Sequence, residues 1–289
     1  MLGSLASVTD WFGGSHCEFA CCDTTFRIHA SGIRAEDSVT SARDAAESLE
    51  SQLNAFDEAS AVSRLNRQGE VGNKFVPSVV RRTLEYNDPF HGVFLIQQGR
   101  VEQALKTFLR GDRETPPTEF DTGSIRVSGS QVTTDVALDL NGLAKGYIVD
   151  RASEALTGLR RRGYVSGGGD MSPPTGPVGI ESPYGDDTPL KILDTDWHVA
   201  TSGGYRRSRH GTDHVYDSTT ESLGSRHESV TVVARRDCME ADAIATTLAA
   251  LPLGDATTLA AEWEGLEALI IHDGVFHPTG GFDTHVLDT

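Results

Sequence analysis

Residues 139–151 read DLNGLAKGYIVDR and follow directly on the run QVTTDVAL at 131–138. The run has the β-branched content and alternation of a strand. The chain is therefore constrained to a strand, a glycine-rich turn, and then a helix expected over about 145–159. Glycines at 142 and 146 permit a sharp turn or a close backbone approach that a Cβ would obstruct. A helix beginning here offers unpaired N–H groups and the positive end of its dipole to an anion. The Lys145 ammonium stands where it could meet the same anion. An ordinary strand–turn–helix junction with a solvated lysine has the same signature, and the segment alone does not separate the two.

Charge decides which partners to consider next. Among 289 residues, 42 are acidic and 25 basic, a formal net charge of -17. That balance argues against nucleic-acid binding, which needs basic patches to neutralise phosphates. Lys74, Lys106, Lys145 and Lys191 are the only lysines, and the other cations are arginines. An acid-rich, lysine-poor surface suits a high-salt cytosol, where repulsion between carboxylates is screened. No basic stretch leading into an apolar core marks the N-terminus, and no segment has the apolar length of a membrane span. A cytoplasmic location is the expectation. Of the four cysteines, Cys17, Cys21, Cys22 and Cys238, none forms a CxxC pair. The vicinal Cys21 and Cys22 cannot easily ligate one tetrahedral zinc together, so buried reduced thiols are expected.

The 289 residues suffice for one large domain or two closely joined lobes with a substantial core. A first strand is expected within 19–30 and a helix over 38–54, where Val39, Ala42, Ala46, Leu49 and Leu53 recur at helical spacing. Residues 60–66 read as a polar turn, and helices are expected over 76–86 and 101–109. Strands follow at 124–127 and 131–138, then at 164–171, where the last ends in Gly167-Gly168-Gly169-Asp170. A strand at 230–234, helices at 239–251 and 257–264, and a strand at 269–271 complete the pattern. Strands and helices mixed without strict alternation favour α+β over a doubly wound sheet.

Four segments carry candidate chemistry. Asp242 and Thr246 are one helical turn apart, and a carboxylate beside a hydroxyl suits a hard divalent cation such as Mg²⁺. The competing reading makes Asp242 a helix cap. His214 lies between Asp213 and Asp217, and a histidine beside a carboxylate can act as general base. Thr201-Ser202-Gly203-Gly204 is a glycine turn with hydroxyls for phosphate or ribose oxygens, and Gly168, Gly169 and Asp170 form a second such turn. Neither turn has the spacing of a dinucleotide-fold or P-loop fingerprint.

In order, SAVSRLN, DLNGLAKGYIVD, GGGDM, ATSGGYRR, HVYD, SVTVVA and ADAIATT resemble the ApbE family, the FAD:protein FMN transferases, from about residue 22 to 251. The resemblance implies an ApbE-like, T-fold-related α+β unit over 21–289 behind an N-terminal extension over 1–20. It implies Mg²⁺-dependent transfer of FMN from the substrate FAD to a threonine or serine hydroxyl in a flavinylation motif of an acceptor protein, with release of AMP. Position by position, it implies that Asp139 and Lys145 touch FAD, and that Cys22 and Thr24 lie against it. The Gly142 carbonyl, Asp242 and Thr246 would hold the metal, and His214 would be the base. Four places depart from the family pattern. Cys22-Asp23 replaces Met-Gly, Gly204 replaces an acid, Ser218 replaces a proline, and an FDPT-type stretch is reduced to Asn87-Asp88-Pro89-Phe90. All four fall on the pocket and its rim. Hydrolysis of FAD to FMN and AMP, or flavin binding without turnover, are the alternatives they leave, beside a general phosphoesterase.

Overall fold

The structure, a computed structural model, describes residues 14–156, 162–185, 188–206 and 208–287. A hairpin of β1 (Gly14–Cys21) and β2 (Thr24–Ser31) leads to α1 (Ala35–Leu53), α2 (Ala61–Gln68), β3 (Glu70–Gly72), α3 (Val76–Leu84) and α4 (Gly99–Arg110). Then come β4 (Ile125–Ser128), β5 (Gln131–Thr134), α5 (Asn141–Ala155), β6 (Arg162–Gly167), β7 (Asp170–Met171), β8 (Val178–Ile180), β9 (Lys191–Leu193) and β10 (His198–Ser202). The rest comprises β11 (Tyr216–Asp217), β12 (Ser222–Leu223), β13 (Ser229–Ala234), α6 (Cys238–Ala250), α7 (Leu253–Glu262), β14 (Leu266–His272) and β15 (Val275–Pro278).

Eight strands form one sheet in the order β1-β2-β6-β7-β10-β13-β14-β15, with every neighbouring pair antiparallel. Helices α1, α5 and α6 pack side by side across one face. This is the expected α+β class. Strand β13, SVTVVA, is buried throughout because both faces are covered. Val230 and Val232 join the core under the helices, while Val233 joins a second core with Met171, Val199, Leu269 and Phe282. A strand covered on two sides reads as a continuous apolar run, as this one does.

Helix α6 is buried on nearly every side, with Thr246 the partly exposed exception. Its alanines allow close approach, and Gly146 of α5 exploits this. A Cβ at 146 would stand 2.5 Å from the Cys238 carbonyl oxygen, and one at Gly142 would stand 2.5 Å from the Phe94 ring. One turn beyond Gly146, the Asp150 carboxylate accepts the Cys238 and Met239 amides at 2.9 and 3.0 Å. The start of α6 is thus partly capped by its neighbour. Burial pushes the Asp150 carboxyl up to about 7, against the pull of those two amides.

Several expected boundaries shift for local reasons. Helix α5 starts at Asn141 rather than near 145, because Asp139 Oδ1 accepts the Asn141 amide at 2.6 Å and turns the chain. Gly142 and Gly146 therefore lie inside the helix, where they serve packing and not a sharp turn. Residues 60–66 are not a turn but the cap and body of α2, with Ser60 accepting the Ser63 amide at 2.9 Å. The strand expected to reach 138 stops at Thr134, beyond which Asp135 bonds back to Ser124 at 2.7 Å. Helix α7 begins at Leu253, straight after Pro252. Leu159, the expected end of α5, lies outside the described residues, as do residues 1–13 of the expected extension. From Gly14 onward that extension is β1, paired along its length with β2. Among the described residues no helix is long and apolar enough to cross a membrane.

Two predictions concern stability. Gly146→Ala forces α5 away from a backbone carbonyl and is expected to destabilise the fold by about 1–3 kcal/mol in urea denaturation. A neutral effect would show that the helix contact is looser than described. The second concerns His227, which lies 3.1 Å from His272, Nδ1 to Nδ1. Burial, then His272, pushes its pKa down from 6.5 to about 4. A depressed folded-state value gives stabilisation that is present above the unfolded pKa and lost as pH falls through the folded one. The Tm should therefore fall less between about pH 7 and about pH 4 in His227→Gln than in the parent. Equal falls would remove His227 as the cause.

Candidate functional site

A cleft of about 760 Å³ opens between the β1–β2 turn, the end of α1, α4, the first half of α5, the β6–β7 turn, the end of β10 and α6. Cys22, Thr24, Gly142, Lys145, Gly168, Gly169, Thr201, Ser202, His214, Asp242 and Thr246 all line it. Residues separated by most of the chain are thereby gathered at one place. Asp139 and Asp170 are outside the lining. Asp139 is buried under the start of α5, bonded to Asn141 through both oxygens at 2.6 and 3.1 Å. Burial pushes its carboxyl up to about 6 against the Asn141 amide. The structure thus gives Asp139 a helix-starting role in place of a cleft contact. Asp170 is buried behind Lys145 and ion-paired with it.

Lys145 is the centre of the inner wall. Its ammonium is ion-paired with Asp170 and lies 3.1 Å from Asp242 Oδ1, while Asp242 Oδ2 accepts the Gly146 amide at 3.1 Å. Burial disfavours the ammonium, but Asp170 and Asp242 outweigh it and hold the amine charged, above its ordinary value. Burial and the neighbouring Asp242 push the Asp170 carboxyl well above its usual range. Both ordinary readings of these residues fail. Lys145 is not a solvated surface charge, and the cap of α6 is Asp237, which accepts the Glu240 amide at 2.8 Å.

The residues fit a hard cation. Among the described residues Asp170 Oδ1 is buried with no hydrogen-bond partner, and a buried carboxylate oxygen left without a donor is costly. Asp242, Thr246 and the backbone at Gly142 face the same space. The donors are all oxygen, as Mg²⁺ prefers, and two carboxylates against one ammonium leave net negative charge.

The glycine turn forms the adjoining wall. Gly168 and Gly169 have φ of 62° and 111°, in the left-handed region that favours glycine. A Cβ at 169 would stand 2.9 Å from the Thr201 carbonyl. The Thr201 amide donates to the Gly169 carbonyl at 3.1 Å, and its hydroxyl is 3.1 Å from that of Thr231. The two turns singled out in the sequence are therefore one unit.

His214 sits in a loop fixed by the carboxylates on either side. Asp213 accepts the Val215 amide at 2.7 Å and the Ser225 amide at 2.8 Å. Asp217 collects the hydroxyls and amides of Thr219 and Thr220. Burial opposes ionisation of Asp217, but these donors win and hold its carboxyl below the ordinary value. A Cβ at Gly204 would fall 1.9 Å from Asp213 Oδ2. Gly204, where the family pattern has an acid, thus makes room for a carboxylate arriving from residue 213.

Glu50, Glu102 and Lys106 also line the cleft and were not singled out from the sequence. Lys106 bonds Asp23 at 2.8 Å and lies 3.6 Å from the centre of the Phe56 ring. Its rarity as one of four lysines was a usable signal. Glu102 is buried on a helix that reads as amphipathic, and burial with Asp139 nearby pushes its carboxyl well up. Gly204→Asp and Asp213→Gly should each lower stability, while the double variant recovers by about 0.5–3 kcal/mol relative to additivity. Strict additivity in denaturant melts would show that the two positions do not share a space.

The family profile described as "ApbE family" matches residues 22–270. No curated protein matches the chain. Among solved structures, the ApbE protein of Thermotoga maritima superposes with a TM-score of 0.84 at 22% identity, covering 96% of this chain and 100% of that one. The flavin transferase ApbE of Vibrio cholerae gives 0.75 at 21% identity, over 94% of this chain and 99% of its own. The apo flavinyl transferase ApbE of Pseudomonas stutzeri gives 0.74 at 20%, over 95% and 98%. At such identities the superpositions speak for the fold, and the profile match over most of the length speaks for descent: the chain belongs to the ApbE family.

Proposed function

We propose that this protein transfers FMN from FAD to a threonine or serine hydroxyl of an acceptor protein, releasing AMP. The observation that carries this reading is Lys145 held charged between Asp170 and Asp242 on the wall of a cleft of about 760 Å³. That volume is in the range of cofactor-sized sites, roughly 300–1,000 Å³. Two solved structures of similar fold are named flavin or flavinyl transferases, and a member of the same family is expected to share the reaction type.

The residues divide the work by chemistry. Asp242, Thr246 and the Gly142 carbonyl, with Asp170 behind them, would hold Mg²⁺, which supplies charge neutralisation at a pyrophosphate during phosphoryl transfer. Lys145 adds a fixed positive charge on the same side. Asn141 and Gly142 present the start of α5 to the cleft, where the positive end of the helix dipole favours a phosphate. Gly168 and Gly169 let the substrate approach the backbone closely, beside the hydroxyls of Thr201 and Ser202. His214 takes the proton from the acceptor hydroxyl. The hydroxyl oxygen then bonds to the FMN phosphorus as the bond to the AMP oxygen breaks. The acidic, lysine-poor surface supports a working environment of high salt, and activity without molar salt would count against that part.

Incubation with FAD, Mg²⁺ and an acceptor carrying a flavinylation motif tests the reading by mass spectrometry. Covalent FMN on the acceptor is expected, whereas free FMN with AMP, or intact bound FAD, would replace transfer by hydrolysis or by binding alone. Asp242→Ala should reduce metal-dependent transfer to background, and retained turnover would overturn the ligand assignment. His214→Ala should keep FAD binding yet lose about 10²–10⁴-fold in transfer rate. An unchanged rate would remove His214 as the base.

A further inference from the structure

Cys21 closes β1 and Cys22 opens the turn into β2, with φ of 55° at both Cys22 and Asp23. Consecutive residues of an extended strand send their side chains to opposite faces, which makes a vicinal pair a poor chelate. The left-handed backbone at Cys22 removes that obstacle, and the two sulfurs stand 3.7 Å apart. Two sulfurs on one tetrahedral zinc, at bonds of about 2.3 Å, are separated by about 3.8 Å. The thiols already hold that spacing. A disulfide would require closure to about 2.05 Å and a different turn.

Glu50 of α1 completes the group. It accepts the Cys22 amide at 2.7 Å through Oε1, and the three residues each bring a ligand atom within 4.8 Å of the others. Cys21 is buried, whereas Cys22 and Glu50 line the cleft and give access from it. Sulfur ligands select thiophilic cations, in contrast to the all-oxygen set around Asp242. We propose that Cys21, Cys22 and Glu50 bind a thiophilic divalent cation such as Zn²⁺ at the mouth of the cleft, with its fourth position open to solvent. Both thiols ligate as thiolates, so their protons leave on binding.

The full chain, reduced and stripped with chelator, is titrated with Zn²⁺ without flavin present and read by X-ray absorption. The expected result is a zinc shell with two sulfurs at about 2.3 Å, lost in Cys22→Ser and kept in Cys17→Ser. An oxygen-only shell, or a sulfur shell unchanged in Cys22→Ser, would overturn the assignment and leave a thiol–thiol contact only. Should Cys22→Ser fail to fold, peptide mapping of alkylation in the unmutated chain decides instead. Zinc is expected to protect Cys21 and Cys22 but not Cys17, and equal labelling with and without zinc would overturn the site. Because no flavin is used, failure here is distinct from failure of the transfer reading.

Discussion

The ion group of Lys145, Asp170 and Asp242 joins a helix, a short strand and a second helix through one partly buried ammonium. Taking three charges out of water is costly, and the mutual attraction repays it only in good geometry. Gly146 supplies that geometry by letting α5 close onto α6, so that its amide reaches Asp242. Deleting one member would leave an uncompensated buried charge, a loss of about 3–5 kcal/mol in comparable cases. The inner wall of the cleft is therefore also a structural joint, and its chemistry and stability cannot vary independently.

The sheet explains why the joint is stiff. Strand β13 is covered on both faces, and β10 beside it ends at Thr201 and Ser202, next to the β6–β7 glycine turn. The site is thus built on strand ends and helix starts whose backbones are already fixed. Loops contribute at the outer side, where Asp213 and Asp217 organise the segment around His214 through backbone and hydroxyl donors.

Much of this was readable from the sequence, for identifiable reasons. The α+β class, the helices under 38–54 and 239–251, and the pairing of Asp242 with Thr246 follow from periodicity, which is a local property. The start of α5 lies ahead of the place its residue pattern suggests because Asp139, two residues earlier, turns the chain through its own side chain. Ser60 at the head of α2 is a cap legible in the sequence, within a segment whose residues otherwise have the polarity of a turn. Other features had no local signal. Lys145 meets Asp170 across 25 residues and Asp242 across 97. The burial of Glu102 and the approach of Cys21 to Cys22 depend on a helix packing and a left-handed turn, neither of which is written in residue spacing.

Gly204 and Asp213 carry a wider consequence. A comparison made position by position counts an acid as lost at 204, and a glycine there looks like decay of the motif. By volume of space, the position beside Gly204 is taken by the Asp213 carboxylate from nine residues downstream, which a Cβ at 204 would meet at 1.9 Å. A glycine at that place can therefore be what the packing of the loop demands rather than decay, and the fair unit of comparison between such chains is the occupied space.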